Sequence, residues 1–164
     1  MAKKPSGTPA LEVLEAAAVP YSLHTYDHSA TSHFGDETVA ALGVAAERVF
    51  KTLVASVTGG AKPELVVGIV PVSGQLDLKA LAAAVGGKRA EMADPAVAQR
   101  SSGYVVGGIS PLGQRTRLRT VLDSSAMSFD TVLVSGGRRG LQIELAPADL
   151  ARLTGAAVAD IARS

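Results

Sequence analysis

A single lysine in an otherwise apolar, strand-like run is the residue best suited to chemistry. Lys51 lies within residues 49–57, where strict alternation places it on one face with Leu53 and Ala55. Such a lysine either extends its ammonium outward from the end of a sheet or lies in a cleft, where loss of hydration destabilises its charge. The pattern alone leaves both positions open, and the second makes Lys51 a candidate for binding an anion.

A glycine-rich loop is the second candidate. Residues 107–111 read Gly-Gly-Ile-Ser-Pro, and adjacent glycines permit unusual backbone angles and close approach of a ligand. Exposed N–H groups there could bind an ester carbonyl, an oxyanion or a phosphate. The alternative is a tight turn between two elements, because Gly and Pro mark turns in general.

Two arginine-containing segments could contact phosphate. Residues 135–140 place two adjacent arginines beside two glycines, and a solvated hairpin loop is the alternative. Three further arginines alternate at Arg115, Arg117 and Arg119, a spacing typical of one strand face. That stripe could track a polynucleotide backbone, or it could keep a solvated sheet edge charged.

The residue types argue against metal and covalent chemistry. His24, His28 and His33 match no zinc-ligand spacing, and no cysteine is present to complete a site. Neither a cysteine nucleophile nor the G-x-S-x-G serine motif occurs. The sequence therefore predicts no metal and no cofactor. His24 and Tyr26 share a face of one short strand, which suits the polar wall of a pocket.

Short helices and strands in irregular order must position these residues. Capping residues, prolines and apolar spacing predict helices over 9–18, 36–42, 77–85, 95–101 and 147–154. Alternating apolar runs predict strands over 21–26, 49–57, 64–70, 90–92, 120–123, 131–134, 141–145 and 156–161. This order predicts an α+β or mixed α/β fold. We expect a flexible tail over residues 1–7 and one domain over residues 8–164.

Composition excludes several classes of protein. The 164 residues are 47% hydrophobic and 19% charged, so the chain folds around an apolar core rather than remaining disordered. Aromatic residues make up 4%, which argues against nucleic-acid binding on an aromatic platform. A net charge of +1 argues against binding driven by bulk charge. No signal peptide or membrane span is predicted, and we expect a cytoplasmic protein.

Six segments, in this order along the chain, resemble the YbaK/EbsC family. They are residues 21–26, 49–54, 71–78, 91–95, 107–114 and 134–141, and the resemblance extends over roughly residues 8–162. It implies a compact, mixed, barrel-like β-sheet flanked by short helices. It also implies an enzyme of aminoacyl-tRNA editing.

The resemblance assigns roles to individual residues. The family's essential lysine falls on Lys51, and its G-x-x-x-P motif falls on Gly107, Gly108, Ile109, Ser110 and Pro111. The resemblance also implies substrate-binding positions at Tyr26, Phe34, Thr52, Gly137 and Gln142. Close relatives carry Asp where this chain has Gln142, and an amide can donate as well as accept hydrogen bonds.

The function implied is hydrolysis of cysteine from mischarged Cys-tRNA(Pro), with tRNA(Pro) and prolyl-tRNA synthetase as partners. Two alternatives stay open. One is a broader aminoacyl-tRNA deacylase that acts on alanine or other small residues. The other is a non-catalytic module that binds tRNA or the synthetase.

Overall fold

The computed structural model describes residues 7–27 and 34–164, with the backbone alone for residues 34–37. Within these residues the α-helices are Pro9–Ala17 (α1), Phe34–Leu42 (α2), Leu78–Ala84 (α3), Pro95–Ser102 (α4) and Pro147–Thr154 (α5). The strands are Tyr21–Thr25 (β1), Phe50–Thr58 (β2), Glu64–Pro71 (β3), Gln75–Leu76 (β4), Arg89–Met92 (β5), Arg119–Asp123 (β6), Val132–Ser135 (β7), Leu141–Leu145 (β8), Ala157–Ala159 (β9) and Ala162–Arg163 (β10). The predicted tail over residues 1–7 lies outside the described residues except for Gly7.

Three of the five described helices, α1, α4 and α5, begin at the predicted residue, whereas α2 begins two residues earlier and α3 one residue later than predicted. The Thr8 hydroxyl accepts a hydrogen bond from the Leu11 N–H, and Pro9 follows in the first turn of α1. Asp94 caps α4 through the Ala96 N–H. Thr8 also donates to the Gly136 carbonyl at 2.5 Å, so this cap ties the N-terminal helix to the turn between β7 and β8.

The described strands form three sheets of mixed direction. The largest has the order β5-β2-β3-β6-β9, a second has β1-β8-β7, and β10 pairs with β4. The pairs β3–β6 and β6–β9 are parallel, and the others are antiparallel. The mixed α+β class is confirmed. The sheets do not close into a barrel: the two larger ones meet at the parallel bridge between Val49 and Leu133.

The five-stranded sheet is covered on both faces, and β2 contributes to both. Phe50 and Val54 pack into one apolar cluster together with α1 and the three-stranded sheet. Ala55 and Val57 pack into a second cluster beneath α3. The predicted alternation of β2 is therefore confirmed, and Lys51 lies on the same side as the second cluster, opposite Val70 of β3.

Two details differ from the predicted elements. The strand predicted over 156–161 is shorter and forms β9, and β4 and β10 were not predicted, because two-residue strands are too short to show alternation. The arginine stripe does not lie on one strand face, since of its three members only Arg119 is in a strand. The N–H groups of Arg115 and Thr116 donate instead to carbonyls at the end of α4.

In the described part of the chain, no helix has the length and apolarity that crossing a bilayer requires.

Candidate active site

The candidate site lies at one edge of β2, where the neighbouring strand changes from β7 to β5. At its start, Val49 bridges to Leu133 of β7, and β5 pairs with β2 only from Ala55 onward. Between these points neither strand covers β2, and the edge opens onto a cleft of about 620 Å³. Cavities of this size hold small organic ligands.

Four parts of the fold line this cleft besides residues 49–54. They are the turn after β3 (residues 72–75), the end of β5 and the start of α4 (Met92, Ala93, Pro95 and Ala98), the glycine loop (Val106, Gly107 and Ile109) and the three-stranded sheet with its flanking residues (Tyr26, Ser135 and Gln142). Thr38 of α2 and Ser164 complete the lining. Segments far apart in sequence thus meet around one short stretch of β2.

Six of the predicted site residues line this one cleft. They are Tyr26, Lys51, Thr52, Gly107, Ile109 and Gln142. Lys51 is half-buried and lies among the cleft residues of β2 rather than free at a sheet end. Phe34 begins α2, and its side chain lies outside the described residues.

Two side-chain oxygens in the cleft wall have no partner. Thr52 Oγ1 and Gln142 Oε1 are both buried, and neither makes a hydrogen bond to any described residue. Burying a polar atom without a partner costs about 1–3 kcal/mol. Each oxygen is closed to solvent as its side chain stands, so a ligand in the cleft would supply the missing partner only after the side chain turns toward it.

Tyr26 lines the same cleft and is held by two hydrogen bonds. Its hydroxyl and Thr38 Oγ1 are 2.6 Å apart, and its backbone N–H donates to the Gly140 carbonyl at 3.0 Å. Thr38 is fully buried on α2. The phenol ring is thereby fixed as a rigid part of the wall.

The two adjacent glycines of the loop have different surroundings. Gly107 has a φ of +93°, lines the cleft, and donates no backbone hydrogen bond to a described residue. Gly108 is buried and donates its N–H to the Val105 carbonyl at 2.9 Å. A β-carbon on Gly108 would lie 2.7 Å from the Arg138 Cα. Gly108 was predicted to bind substrate, and in this structure its N–H closes the turn instead of facing the cleft.

Three other predicted residues lie behind the cleft rather than in its lining. Ser110 is fully buried, and its hydroxyl accepts from the Leu112 N–H. Pro111 is buried beside it. Gly137 donates its N–H to Ser135 Oγ at 3.2 Å. These residues were predicted to bind substrate, but the structure places them where they shape the loops that do line the cleft.

Gly137 also has to be a glycine for reasons of packing. Its φ is +111°, and a β-carbon there would lie 2.8 Å from the Thr8 Cβ and 2.9 Å from the Tyr104 ring. The turn between β7 and β8 therefore packs directly on the cap of α1. Through its bond to Ser135, a cleft residue, this contact reaches the site.

A fully bonded polar cluster lies next to Gln142 on the three-stranded sheet. Glu144 accepts hydrogen bonds from His24 at 2.8 Å, from Arg48 at 3.0 Å and from Thr131 at 2.5 Å. The hydrogen bonds from Thr131 and His24 hold the pKa of the Glu144 carboxyl below its usual range, and the charge of Arg48 adds to this. Because Arg48 comes directly before residues 49–54, the cluster anchors the start of β2.

The histidines do not form a metal site within the described residues, where no group of three His, Cys, Asp or Glu side chains comes together. His24 lies opposite Gln142 in the sheet and bonds to Glu144. His28 and His33 lie outside the described residues.

Several cleft residues were not predicted. Ser135, Thr38, Met92 and Val106 line the cleft, and of these Ser135 and Met92 lie in segments that the sequence had singled out. Residues 135–140 drew attention because their two arginines could contact phosphate, yet neither Arg138 nor Arg139 is among the lining residues. The glycines beside Ser135 were the better signal, because they permit the turn that presents its hydroxyl.

A comparison with protein families shows which family the chain belongs to. The model of the aminoacyl-tRNA editing domain matches residues 28–153. The chain belongs to this editing-domain family. The matched range contains every predicted site residue except Tyr26, which lies two residues before it.

Individual relatives of the editing domain agree. The chain is 40% identical to EbsC of Enterococcus faecalis over 98% of both chains, a protein assigned as a Cys-tRNA(Pro)/Cys-tRNA(Cys) deacylase. It is 32% identical over 112 residues to the multifunctional Ser/Thr-tRNA deacylase ProXp-y of Escherichia coli K12, covering 68% of this chain and 67% of that protein. A crystal structure of a protein assigned as a trans-editing enzyme for prolyl-tRNA synthetase superposes with a TM-score of 0.80 at 26% identity, over 99% of this chain and all of the other.

Proposed function

We propose that this chain is a trans-editing deacylase that hydrolyses the ester of mischarged Cys-tRNA(Pro). The observation that carries the proposal is the cleft itself, where Lys51 lies together with Thr52 and Gln142, two residues with unpaired buried oxygens. The similarity to EbsC over nearly the whole chain supports cysteine as the amino acid. We infer that residues 8–164 act together as one editing domain.

Each polar group then has a role in holding the aminoacyl ester. The Lys51 ammonium binds the terminal phosphate or the ribose oxygens through its charge. The Gly107 N–H donates to the carbonyl oxygen of the ester as negative charge develops on it. Gln142 Oε1 accepts from the α-ammonium of the amino acid, and the Thr52 hydroxyl contacts the polar atoms next to it. The protein supplies position and electrostatics.

We propose the thiolate of the substrate cysteine as the nucleophile, because it requires no nucleophilic side chain from a protein that has no cysteine of its own. The sulfur forms a bond to the carbonyl carbon, the bond between that carbon and the ribose oxygen breaks, and the ribose oxygen takes a proton. The first product is a cyclic thioester that water opens afterwards. A thiol ionises near pH 8.5, which puts a useful fraction of thiolate within reach of neutral pH. By this route the enzyme would be classed with lyases; attack by water would make it a hydrolase.

A second candidate is the removal of serine or another small residue. The buried Gln142 carbonyl oxygen could accept from a substrate hydroxyl, and the Escherichia coli relative is named for serine and threonine. This candidate needs a positioned water, because an alkoxide does not form near neutral pH. A non-catalytic binding module is disfavoured because the chain keeps both Lys51 and the G-x-x-x-P motif from Gly107 to Pro111.

The test is deacylation of tRNA(Pro) charged with cysteine, serine or alanine, with the Lys51→Ala variant as a control. We expect cysteine to be released fastest and serine to be nearly inert. Comparable release of serine would favour the second candidate, and no release from any charged tRNA would leave only the binding module.

The nucleophile is tested separately with S-methylated Cys-tRNA(Pro). We expect it to bind, measured as competition with the free-thiol substrate, and to be released at least ten times more slowly. Equal rates would assign the attack to water.

We also propose that prolyl-tRNA synthetase supplies the selectivity for its tRNA in a ternary complex. A net charge of +1 gives the chain little general attraction for RNA, and the solved relative assigned to this synthetase supports the pairing. Adding the synthetase to the assay should lower KM for Cys-tRNA(Pro); an unchanged KM would argue against the complex.

A further inference from the structure

A second cavity, distinct from the cleft, has a basic lining. Its volume is about 530 Å³, and it lies between α3 and the strands β2 and β5. Lys79, Lys88 and Arg89 line it, against a single carboxylate from Glu91. All three cations are exposed, and none forms an ion pair with a described residue. We call these residues the basic pocket.

The basic pocket continues the same two strands that form the cleft. On β2 the cleft ends at Val54, and the pocket begins at Ser56. On β5 Met92 lines the cleft, and the preceding Glu91 lines the pocket. At about 3.3 Å per residue, Lys51 and the far end of the pocket at Thr58 are roughly 23 Å apart. That distance corresponds to several nucleotides of a single strand.

Backbone contacts position Lys88 at the basic pocket, and Lys79 lies there at a cost to its helix. The Lys88 N–H donates to the Thr58 carbonyl at 2.8 Å. A β-carbon on Gly59 would lie 2.5 Å from the Lys88 Cβ, so the stem of this lysine packs on the hairpin turn. Lys79 lies in the first turn of α3, where a cation is unfavourable to the helix dipole. Its position is therefore not explained by stability of the helix.

We propose that the basic pocket binds phosphates of the tRNA acceptor arm just upstream of the aminoacylated 3′ end. The proposal rests on the proposed function, because it needs the ester to lie in the cleft. A strand whose 3′ end reaches Lys51 can leave the cleft along β2 and β5, and this route brings its backbone to Lys79, Lys88 and Arg89. Cations without protein partners are suited to phosphates, which release counterions on contact.

The arginines at positions 115, 117 and 119 are the competing surface. Arg119 already donates to Glu64 at 2.8 Å and to the Val85 carbonyl at 3.1 Å. Arg117 lies beside Gly155, and Arg115 lies beside Gly103. Among the described residues that line the cleft or the basic pocket, none of these arginines occurs.

The test compares two triple variants of the full chain with equal loss of charge. The first is Lys79→Gln/Lys88→Gln/Arg89→Gln. The control is Arg100→Gln/Arg115→Gln/Arg117→Gln, whose three residues are exposed and lie outside both cavities. Both are measured for thermal unfolding, for binding of an uncharged acceptor minihelix ending in CCA, and for deacylation of Cys-tRNA(Pro) and of cysteinyl-adenosine.

We expect the basic-pocket variant alone to lose minihelix affinity and much of its salt dependence. Each of three phosphate contacts contributes about 0.7 to the slope of log affinity against log salt concentration. Between 50 and 200 mM salt, the wild-type affinity should therefore fall roughly twenty-fold more than the affinity of the variant. KM for Cys-tRNA(Pro) should rise in the same variant, while the rate on cysteinyl-adenosine, which lacks the acceptor arm, should not change.

Wild-type affinity and slope in the basic-pocket variant would overturn the proposal, as would an equal loss in the control. The cations would then serve to keep the edge strand β5 charged or to bind the synthetase. Failure of the proposed function has a different signature: the wild type releases cysteine from neither substrate. The minihelix measurement still decides the pocket in that case, because it needs no catalysis.

Discussion

Two neighbouring polar residues on strand β8 have opposite surroundings. Gln142 and Glu144 are two positions apart and so lie on the same face of the sheet. Gln142 is buried, yet its carbonyl oxygen has no partner among the described residues. Glu144 is more exposed, yet both of its oxygens are bonded, to His24, Arg48 and Thr131.

The comparison distinguishes a residue that stabilises the fold, Glu144, from a residue that we assign to substrate binding, Gln142. A side chain whose hydrogen bonds are complete stabilises the fold, whereas a buried one left incomplete carries a cost that the fold alone does not explain. The bonded cluster around Glu144 lies beside the cleft and anchors the start of β2. The incomplete positions, Gln142 and Thr52, lie in the cleft. We expect loss of activity from changes in the second group and loss of stability from changes in the first.

The largest effect should come from Lys51→Ala. We expect a loss of about 2.7–4 kcal/mol of transition-state stabilisation, which is roughly 100- to 1000-fold in kcat/KM for Cys-tRNA(Pro). The unfolding temperature should stay unchanged, because a half-buried lysine at the cleft contributes little packing. Lys51→Arg should fail as well, since a planar guanidinium does not replace a compact ammonium.

The matched control is Lys62→Ala, which removes an exposed lysine from the turn between β2 and β3. It should deacylate at the wild-type rate. A Lys51→Ala enzyme that retains near-normal kcat/KM would remove this lysine from the mechanism.

Gln142→Leu tests the residue whose buried oxygen lacks a hydrogen-bond partner among the described residues. A hydrogen bond to a charged group contributes about 1.5–3 kcal/mol, so loss of the bond to the α-ammonium should lower kcat/KM roughly ten- to hundred-fold. The free energy of unfolding in urea should stay the same or rise, because an unpaired buried amide is replaced by an apolar side chain of similar size. A variant that is destabilised while still active would reverse the roles assigned to Gln142 and Glu144.

Much of the architecture could be predicted from the sequence, because it is local. The β2–β3 hairpin, the caps at Thr8 and Asp94 and the face of β2 that carries Lys51 all follow from patterns within a few residues. The cleft is not local. The cleft exists because Leu133 of β7 bridges to Val49, just before β2, and because β5 ends at Met92. Neither feature can be predicted from the residues near Lys51.

The same distinction explains why the two glycines of the loop could not be told apart from the sequence. Gly107 and Gly108 are adjacent and identical in type, but only packing against the Arg138 backbone decides which one is turned away from the cleft. The basic pocket was missed for a related reason. Lys79 lies apart in sequence from Lys88 and Arg89, and α3 brings them to one cavity.

Glu144→Gln tests the residue whose two carboxylate oxygens both accept hydrogen bonds. The amide keeps the shape of the carboxylate but removes the charge that faces Arg48, so we expect a loss of about 1–2 kcal/mol in the free energy of unfolding at pH 7. Turnover of bound Cys-tRNA(Pro) should change little in the folded variant. A drop in kcat without a change in stability would show that Glu144 acts on the substrate.

This stability difference should depend on pH in a definite direction. Hydrogen bonds and the nearby cations lower the pKa of Glu144 in the folded protein, so its contribution is present above the pKa of the unfolded chain and is lost as pH falls through the folded value. The gap in unfolding free energy between wild type and Glu144→Gln should therefore close in acid. A gap that widens below pH 5 would mean that the carboxylate is not what stabilises the cluster.

The smallest effect should come from Thr52→Val, which removes one hydroxyl and keeps the shape of the side chain. Since Thr52 Oγ1 has no partner among the described residues, its loss should not lower the unfolding temperature and could raise it slightly. A neutral hydrogen bond to the substrate contributes about 0.5–1.5 kcal/mol, so kcat/KM should fall only about two- to twelve-fold. Thr38→Val is the informative contrast, because that hydroxyl is bonded to Tyr26 at 2.6 Å and its removal leaves the phenol without this partner. If Thr52→Val lowers stability as much as Thr38→Val does, the Thr52 hydroxyl belongs with the bonded group, and an unpaired oxygen is not a reliable mark of the substrate site in this cleft.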